Sequence, residues 1–265
     1  MSSLPDLKQF IRSGNLTEAL GAAKKLVAQS PLDPGARSDL CALLFASGET
    51  DRAINQCKAA AELGGNSLSP DFLQVLEAIE VRENVLTGAV SPNFPGECPA
   101  WVPELSTALQ SFANGGDTTQ LLALLESLSD ELDGIDGRCG DLEFEGFRNV
   151  DARIALVLEG VFKGEYLWLP LSQLRQVIIP QKPELLQDLF FIPCMVTLKS
   201  GWRSQGHLLA TYFGTEQSDS GPAKLAMETV WDENYDDLTI GAGQQVFWAG
   251  EEALPILSLG SISFS

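Results

Sequence analysis

A single histidine, His207, is all that a chain of 265 residues offers for proton transfer near neutral pH. Any Ser–His–Asp or Cys–His device has to use it. It lies in Gly206-His207-Leu208-Leu209-Ala210-Thr211-Tyr212, which reads as a strand leaving a turn, and no G-x-S-x-G elbow accompanies it. Cysteines number five, an odd count, with no C-x-x-C pair among them. That disfavours both a disulfide framework and a zinc site, and fits reduced thiols. Basic residues are also few: 17 Lys and Arg stand against 36 Asp and Glu, a net charge of −19. Residues 1–130 carry 8 basic and 16 acidic groups and residues 131–265 carry 9 and 20, so neither half has the basic footprint that nucleic acid or an anionic membrane needs. Long apolar runs are missing. Runs such as those at 121–125 and 154–158 fall far short of the roughly 20 residues of a membrane span. The start of the chain carries Lys8 and Arg12 but no apolar run of signal-peptide length. Together these absences lead us to expect a cytoplasmic protein with no membrane insertion and no nucleic-acid partner.

Two acidic or glycine-rich stretches imitate sites and fail on detail. Asp232-Glu233-Asn234-Tyr235-Asp236-Asp237 begins like a calcium loop, but its sixth position is Asp237 rather than Gly and its twelfth is Gly243 rather than Glu. Gly241-Ala242-Gly243-Gln244-Gln245 lacks the Lys and Ser/Thr of a phosphate loop. We expect no catalytic residue, no metal and no cofactor.

What is present is a repeat. Gly14-Asn15-Leu16-Thr17-Glu18-Ala19-Leu20 returns as Gly48-Glu49-Thr50-Asp51-Arg52-Ala53-Ile54, at the 34-residue period of the tetratricopeptide helical hairpin. The glycine ends one helix in a left-handed cap, the polar residue caps the next, and the alanine permits close approach. The next step lands on Arg82, and a degenerate copy follows at Gly115-Gly116-Asp117. Between them, Ser69-Pro70-Asp71 marks a helix start for an apolar stripe through Phe72, Val75, Leu76 and Ile79 that reaches toward Gly88, and a Pro-rich break spans 91–99. Stacked hairpins leave a concave groove suited to an extended peptide or an amphipathic helix. By repeat position its lining includes Lys8, Arg12, Phe45, Phe72, Leu76 and Ile79, although the spacing of the last three equally describes a buried face.

Beyond Asp130 the pattern changes. A Gly/Asp linker at 133–141 leads to short β-like runs at 153–161, 165–169, 176–179, 190–199, 207–213, 225–231, 244–248 and 256–264, with helical turns at 170–175 and 182–189. Four of the five tryptophans fall here. The expected fold is α+β: tetratricopeptide-like helical repeats over 1–130 packed against a β-rich domain over 131–265.

The second half also carries Asn149-Val150-Asp151-Ala152-Arg153-Ile154 with Leu158-Glu159, Gly164-Glu165-Tyr166-Leu167-Trp168-Leu169-Pro170, Asp188-Leu189, Tyr212-Phe213-Gly214, Glu228-Thr229-Val230-Trp231 and Gly241-Ala242-Gly243-Gln244. With Pro99-Ala100-Trp101 and the Gly-x-x-x-x-Ala repeats, these resemble the ImpE/TagJ/SciE family of type VI secretion accessory proteins over nearly the whole chain. It departs from the pattern at Ile154-Ala155-Leu156 and Ala210-Thr211. The resemblance implies a non-enzymatic cytoplasmic adaptor that binds an amphipathic helix of the small contractile-sheath subunit and connects the sheath to its recycling ATPase. A general repeat-containing scaffold or chaperone, and a hydrolase with its site in the second half, are the alternative readings.

Overall fold

The computed structural model describes residues 4–64, 72–179 and 184–265. Helices α1 (Leu4–Arg12) and α2 (Leu16–Gln29) form the first hairpin, and α3 (Pro34–Ala46) and α4 (Thr50–Leu63) the second. The two turns share one solution. Gly14 and Gly48 take φ of 72° and 81°, and the next residue's N–H reaches back to the preceding helix, Asn15 to Phe10 O and Glu49 to Leu44 O, each at 2.9 Å. This closes the helix end as a Schellman motif. The caps differ: the Asn15 side chain accepts the Glu18 N–H at 3.1 Å, whereas Glu49 makes no cap and pairs with Arg52 instead. Ala19 and Ala53 are fully buried.

The next helix does not run unbroken to Gly88. It divides into α5 (Phe72–Ala78), a 3-10 turn (Ile79–Val81) and α6 (Arg82–Leu86); the start expected at Ser69 lies outside the described residues. Helices α7 (Val102–Gly115) and α8 (Thr119–Ser127) pair around Gly116, whose φ is 70°, and α9 (Ser129–Asp133) ends the helical half.

The linker expected at 133–141 already contains strand. β1 (Gly137–Cys139) and β2 (Leu142–Phe144) are followed by β3 (Phe147–Asn149), β4 (Val157–Phe162), β5 (Glu165–Pro170) and β6 (Leu174–Ile178). Next come β7 (Phe191–Leu198), β8 (Arg203–Leu209) and the short helix α10 (Gly221–Lys224). The chain closes with β9 (Thr229–Trp231), β10 (Gly241–Gly243), β11 (Val246–Ala249), β12 (Glu252–Pro255) and β13 (Ser261–Phe264). An eight-stranded antiparallel sheet runs β2-β1-β13-β6-β7-β8-β4-β5, beside a three-stranded sheet β12-β11-β3 and the pair β10-β9. The Pro-rich stretch runs along the outer edge of β5, where Asn93 O accepts the Trp168 N–H at 2.9 Å, and past its end, where Glu97 O accepts from Gln173 at 3.1 Å. A proline-bearing strap of this kind blocks strand addition at an edge.

Buried apolar residues from Leu7 to Phe264 form one continuous cluster across both halves. At their junction the Phe45 ring lies 5.9 Å from Phe190 and 4.6 Å from Phe191, and Phe72 lies 5.5 Å from Phe191. The repeat glycines meet the sheet half too: a Cβ at Gly14 would sit 2.5 Å from Pro222 Cγ, and one at Gly48 would sit 3.0 Å from Glu216 Cγ.

A buried polar chain crosses the same junction. Arg82 on α6 grips Glu159 on β4 through Nε at 2.9 Å and through Nη2, which also donates to Thr211 O at 2.8 Å. Glu159 further accepts from the Tyr166 hydroxyl at 2.6 Å and from Gln245 at 2.9 Å. Gln245 in turn accepts from Asn149 at 2.9 Å, whose own oxygen accepts from the Tyr212 hydroxyl at 3.0 Å and the Asp151 N–H at 2.9 Å. Asp151 then holds Arg153 and the Gly241 N–H. Burial works against the Arg82 charge and the facing Glu159 works for it; the balance holds the guanidinium above its ordinary value. Burial, then the Glu159 charge, push the Tyr166 hydroxyl well up, so it stays a donor.

Candidate partner-binding groove

An apolar opening against the repeats lies between α1 and α3. Helix α1 turns Leu7 into the core and leaves Ile11 half-buried, with Lys8 and Arg12 exposed one turn apart. Helix α3 starts at a strong cap, where Asp33 accepts the N–H groups of Gly35 at 2.8 Å and Ala36 at 3.3 Å. From across the gap comes the segment 184–189. Asp188 accepts the N–H groups of Glu184 and Leu185, each at 2.9 Å, and thereby folds the segment into a 3-10 turn (Leu186–Leu189) that presents Leu185, Leu186 and Leu189. Between them is a groove of about 720 Å³, lined by Leu7, Ile11, Ala36 and those three leucines, with Lys8, Arg12, Asp33, Asp39 and Glu184 among them. Asp39 is half-buried on the α3 wall. Burial raises its carboxyl, Lys8 nearby lowers it and Asp33 raises it again, leaving it at about 6.

The six residues expected to share one groove are divided by the structure. Lys8 and Arg12 line the opening just described. Phe45 and Ile79, both half-buried, line a second cleft of about 380 Å³ with Arg82, Thr211, Tyr212 and Glu216. Phe72 and Leu76 are 0% exposed and face the core, so as partner-contact residues they are corrected. The reason is physical: the sheet half supplies the apolar surface, through Phe190 and Phe191, that a partner would have supplied. Sequence reading missed Asp39 and the three leucines. The pattern Leu185-Leu186-x-x-Leu189 beside Phe190 was the available signal, but it lies far along the chain from the helices it faces.

Among the described residues no group of His, Cys, Asp and Glu is placed to hold a metal ion, and no helix is long and apolar enough to cross a membrane.

Comparison with known proteins agrees with this architecture. Residues 10–76 match the tetratricopeptide repeat, and residues 141–263 match the family described as ImpE protein. The fold is close to the crystal structure of protein VPA1032 from Vibrio parahaemolyticus, with a TM-score of 0.84, 23% identity, and coverage of 98% of this chain and 97% of that one. The type VI secretion system accessory component TagJ of Pseudomonas aeruginosa is 32% identical over 252 residues, which are 93% of this chain and 87% of the relative. Matched over nearly its full length at that identity, the chain belongs to the ImpE/TagJ family of type VI secretion accessory proteins.

Proposed function

We propose that this protein is a non-enzymatic cytoplasmic adaptor of a type VI secretion system, and that the groove between α1, α3 and segment 184–189 seats an amphipathic helix of the small contractile-sheath subunit. Through that contact it links the sheath to the ATPase that recycles it. The observation that carries the reading is the groove itself: apolar residues from three elements converge on one opening, with Lys8 and Arg12 exposed beside it. That is the arrangement by which helix-in-groove sites anchor an apolar stripe and orient it by charge. The polar chain around Glu159 fits an adaptor as well, since the carboxylate is fully engaged in holding the two halves together. Phe45 and Ile79 line the alternative seat, whose volume is about half that of the groove.

The test is fluorescence anisotropy with labelled peptides covering the helices of the sheath subunit. Leu186→Glu and Ile11→Glu each weaken binding by a factor on the order of ten to a hundred, because each removes an apolar anchor and buries a charge. Ile79→Glu, in the other cleft, leaves it unchanged. Equal affinity for wild type and Leu186→Glu, with loss in Ile79→Glu, moves the site to the second cleft. Absence of binding by any sheath peptide removes the reading altogether.

A further inference from the structure

Asp39 is out of place in an apolar seat. It stands among Leu7, Ile11, Leu186 and Leu189 on the wall of the groove. The charged groups that share the groove with it are Lys8 and Arg12 from α1, Asp33 from the start of α3 and Glu184 from the opposite segment. Lys8 is the cation that acts on it, and Lys8 is exposed at the rim while Asp33 opposes it. A helix bringing only leucines would close over this carboxylate and complete its removal from water. An unpaired buried charge is among the most expensive arrangements a complex can adopt. Lys8 at the rim, opposed by Asp33, compensates that charge only in part, so an occupant that brings a positive charge is favoured over one that brings none.

We infer that the groove selects a helix carrying a lysine or arginine within its apolar stripe, and that this cation seats on Asp39. The inference rests on the groove being the helix seat. It makes Asp39 a specificity-determining residue: a purely apolar helix is rejected, and a helix with an acid at that position is rejected more strongly. It also fixes the sign of a pH dependence. A cation favours the ionised carboxyl, so binding releases the proton that free Asp39 holds up to about pH 6, and affinity rises as the pH rises.

The experiment is anisotropy with the sheath peptide at pH 5.0, 6.0 and 7.5, on wild type and on Asp39→Asn. Wild type gains about tenfold in affinity from pH 5.0 to 7.5, the linkage expected when a group at about 6 falls below about 4 on binding. Asp39→Asn binds more weakly at pH 7.5 and loses the slope. Replacing the stripe lysine or arginine of the peptide by norleucine weakens binding to wild type and has little further effect on Asp39→Asn. Affinity that falls with rising pH, a slope retained in Asp39→Asn, or equal losses from norleucine on both proteins each overturn the inference. If Leu186→Glu abolishes binding while Asp39→Asn does not weaken it, the inference fails and the groove stands. If no peptide binds wild type, both fail.

Discussion

Replacing Asp39 by Asn is expected to stabilise the fold while impairing its use. The unfolded chain releases the Asp39 proton near the ordinary 3.8, and the folded protein releases it at about 6. Between those values the native state holds more protons than the unfolded one, so this group's contribution to stability declines as pH rises through the window. Below 3.8 both states are protonated and nothing is lost; above about 6 the loss is complete. At about 1.4 kcal/mol per tenfold in proton affinity, the gap amounts to about 3 kcal/mol at neutral pH. Partial contact with solvent makes that an upper bound. About one third of it is already present at pH 4.5, so the variant's advantage grows by at most about 2 kcal/mol between pH 4.5 and 7.5. The assay is urea unfolding of both proteins at pH 4.5, 6.0 and 7.5. Every other carboxylate titrates in both and cancels in the difference. An advantage that is constant with pH, or a variant less stable than wild type at pH 7.5, refutes the argument that burial leaves this carboxylate under-compensated.

Other perturbations read the junction between the halves. Arg82→Ala leaves Glu159 buried with only Tyr166 and Gln245 as donors and costs about 3–5 kcal/mol in urea unfolding; adding Glu159→Gln, which removes the stranded charge, recovers part of it. Gly14→Ala meets Pro222 Cγ at 2.5 Å on top of its φ of 72°, whereas Gly116→Ala, at φ 70°, finds its nearest atom at 3.6 Å. Gly116→Ala therefore lowers stability by the left-handed backbone cost alone, about 1 kcal/mol, and Gly14→Ala by clearly more in the same thermal melts. Phe72→Ala opens the core against Phe191 and costs about 3–5 kcal/mol; any loss of peptide binding in that variant follows its unfolding curve and disappears on cooling to where the fold is complete.

The helical half is legible because its signals are local. A glycine at the turn and an alanine five residues on are demanded by one Schellman closure and one close contact, both within a few residues. The eight longer β-like runs correspond to real strands with shifted ends. The run 207–213 is β8 displaced toward the N-terminus, since its last residues leave the ladder at the isolated bridge of Thr211 to Gln244. The run 256–264 begins as a 3-10 turn, with β13 forming only its end. Strands β1, β2, β3, β10 and β12 were not visible. Each has three or four residues, and several find their partners across long stretches of chain, as Gly137 does with Phe264. No periodicity develops over so few positions. The groove was half legible for the same reason: Lys8 and Arg12 follow from helix phase, whereas the leucines facing them are set by tertiary packing alone. Phe45 and Phe72 show a different limit. An apolar stripe looks the same whether it awaits a partner or the chain's own sheet.

Several of the residues that carry the family resemblance share a task. Asn149, Asp151, Arg153, Glu159, Tyr166 and Tyr212 are links of the single hydrogen-bonded chain that runs from Arg82 through the sheet half, and Trp168 donates to the Tyr166 hydroxyl at 2.9 Å. Such a chain constrains residue type severely. Each member must offer a particular donor or acceptor at a fixed place, and a buried link left unpaired costs about 1–3 kcal/mol. A motif of this origin identifies the scaffold and says nothing about the ligand. On the proposed reading, partner choice rests on side chains outside those links, on Asp39, Leu185 and Leu186 in particular. A chimera that keeps the polar chain and exchanges only those groove residues should keep its stability and change the helix it accepts.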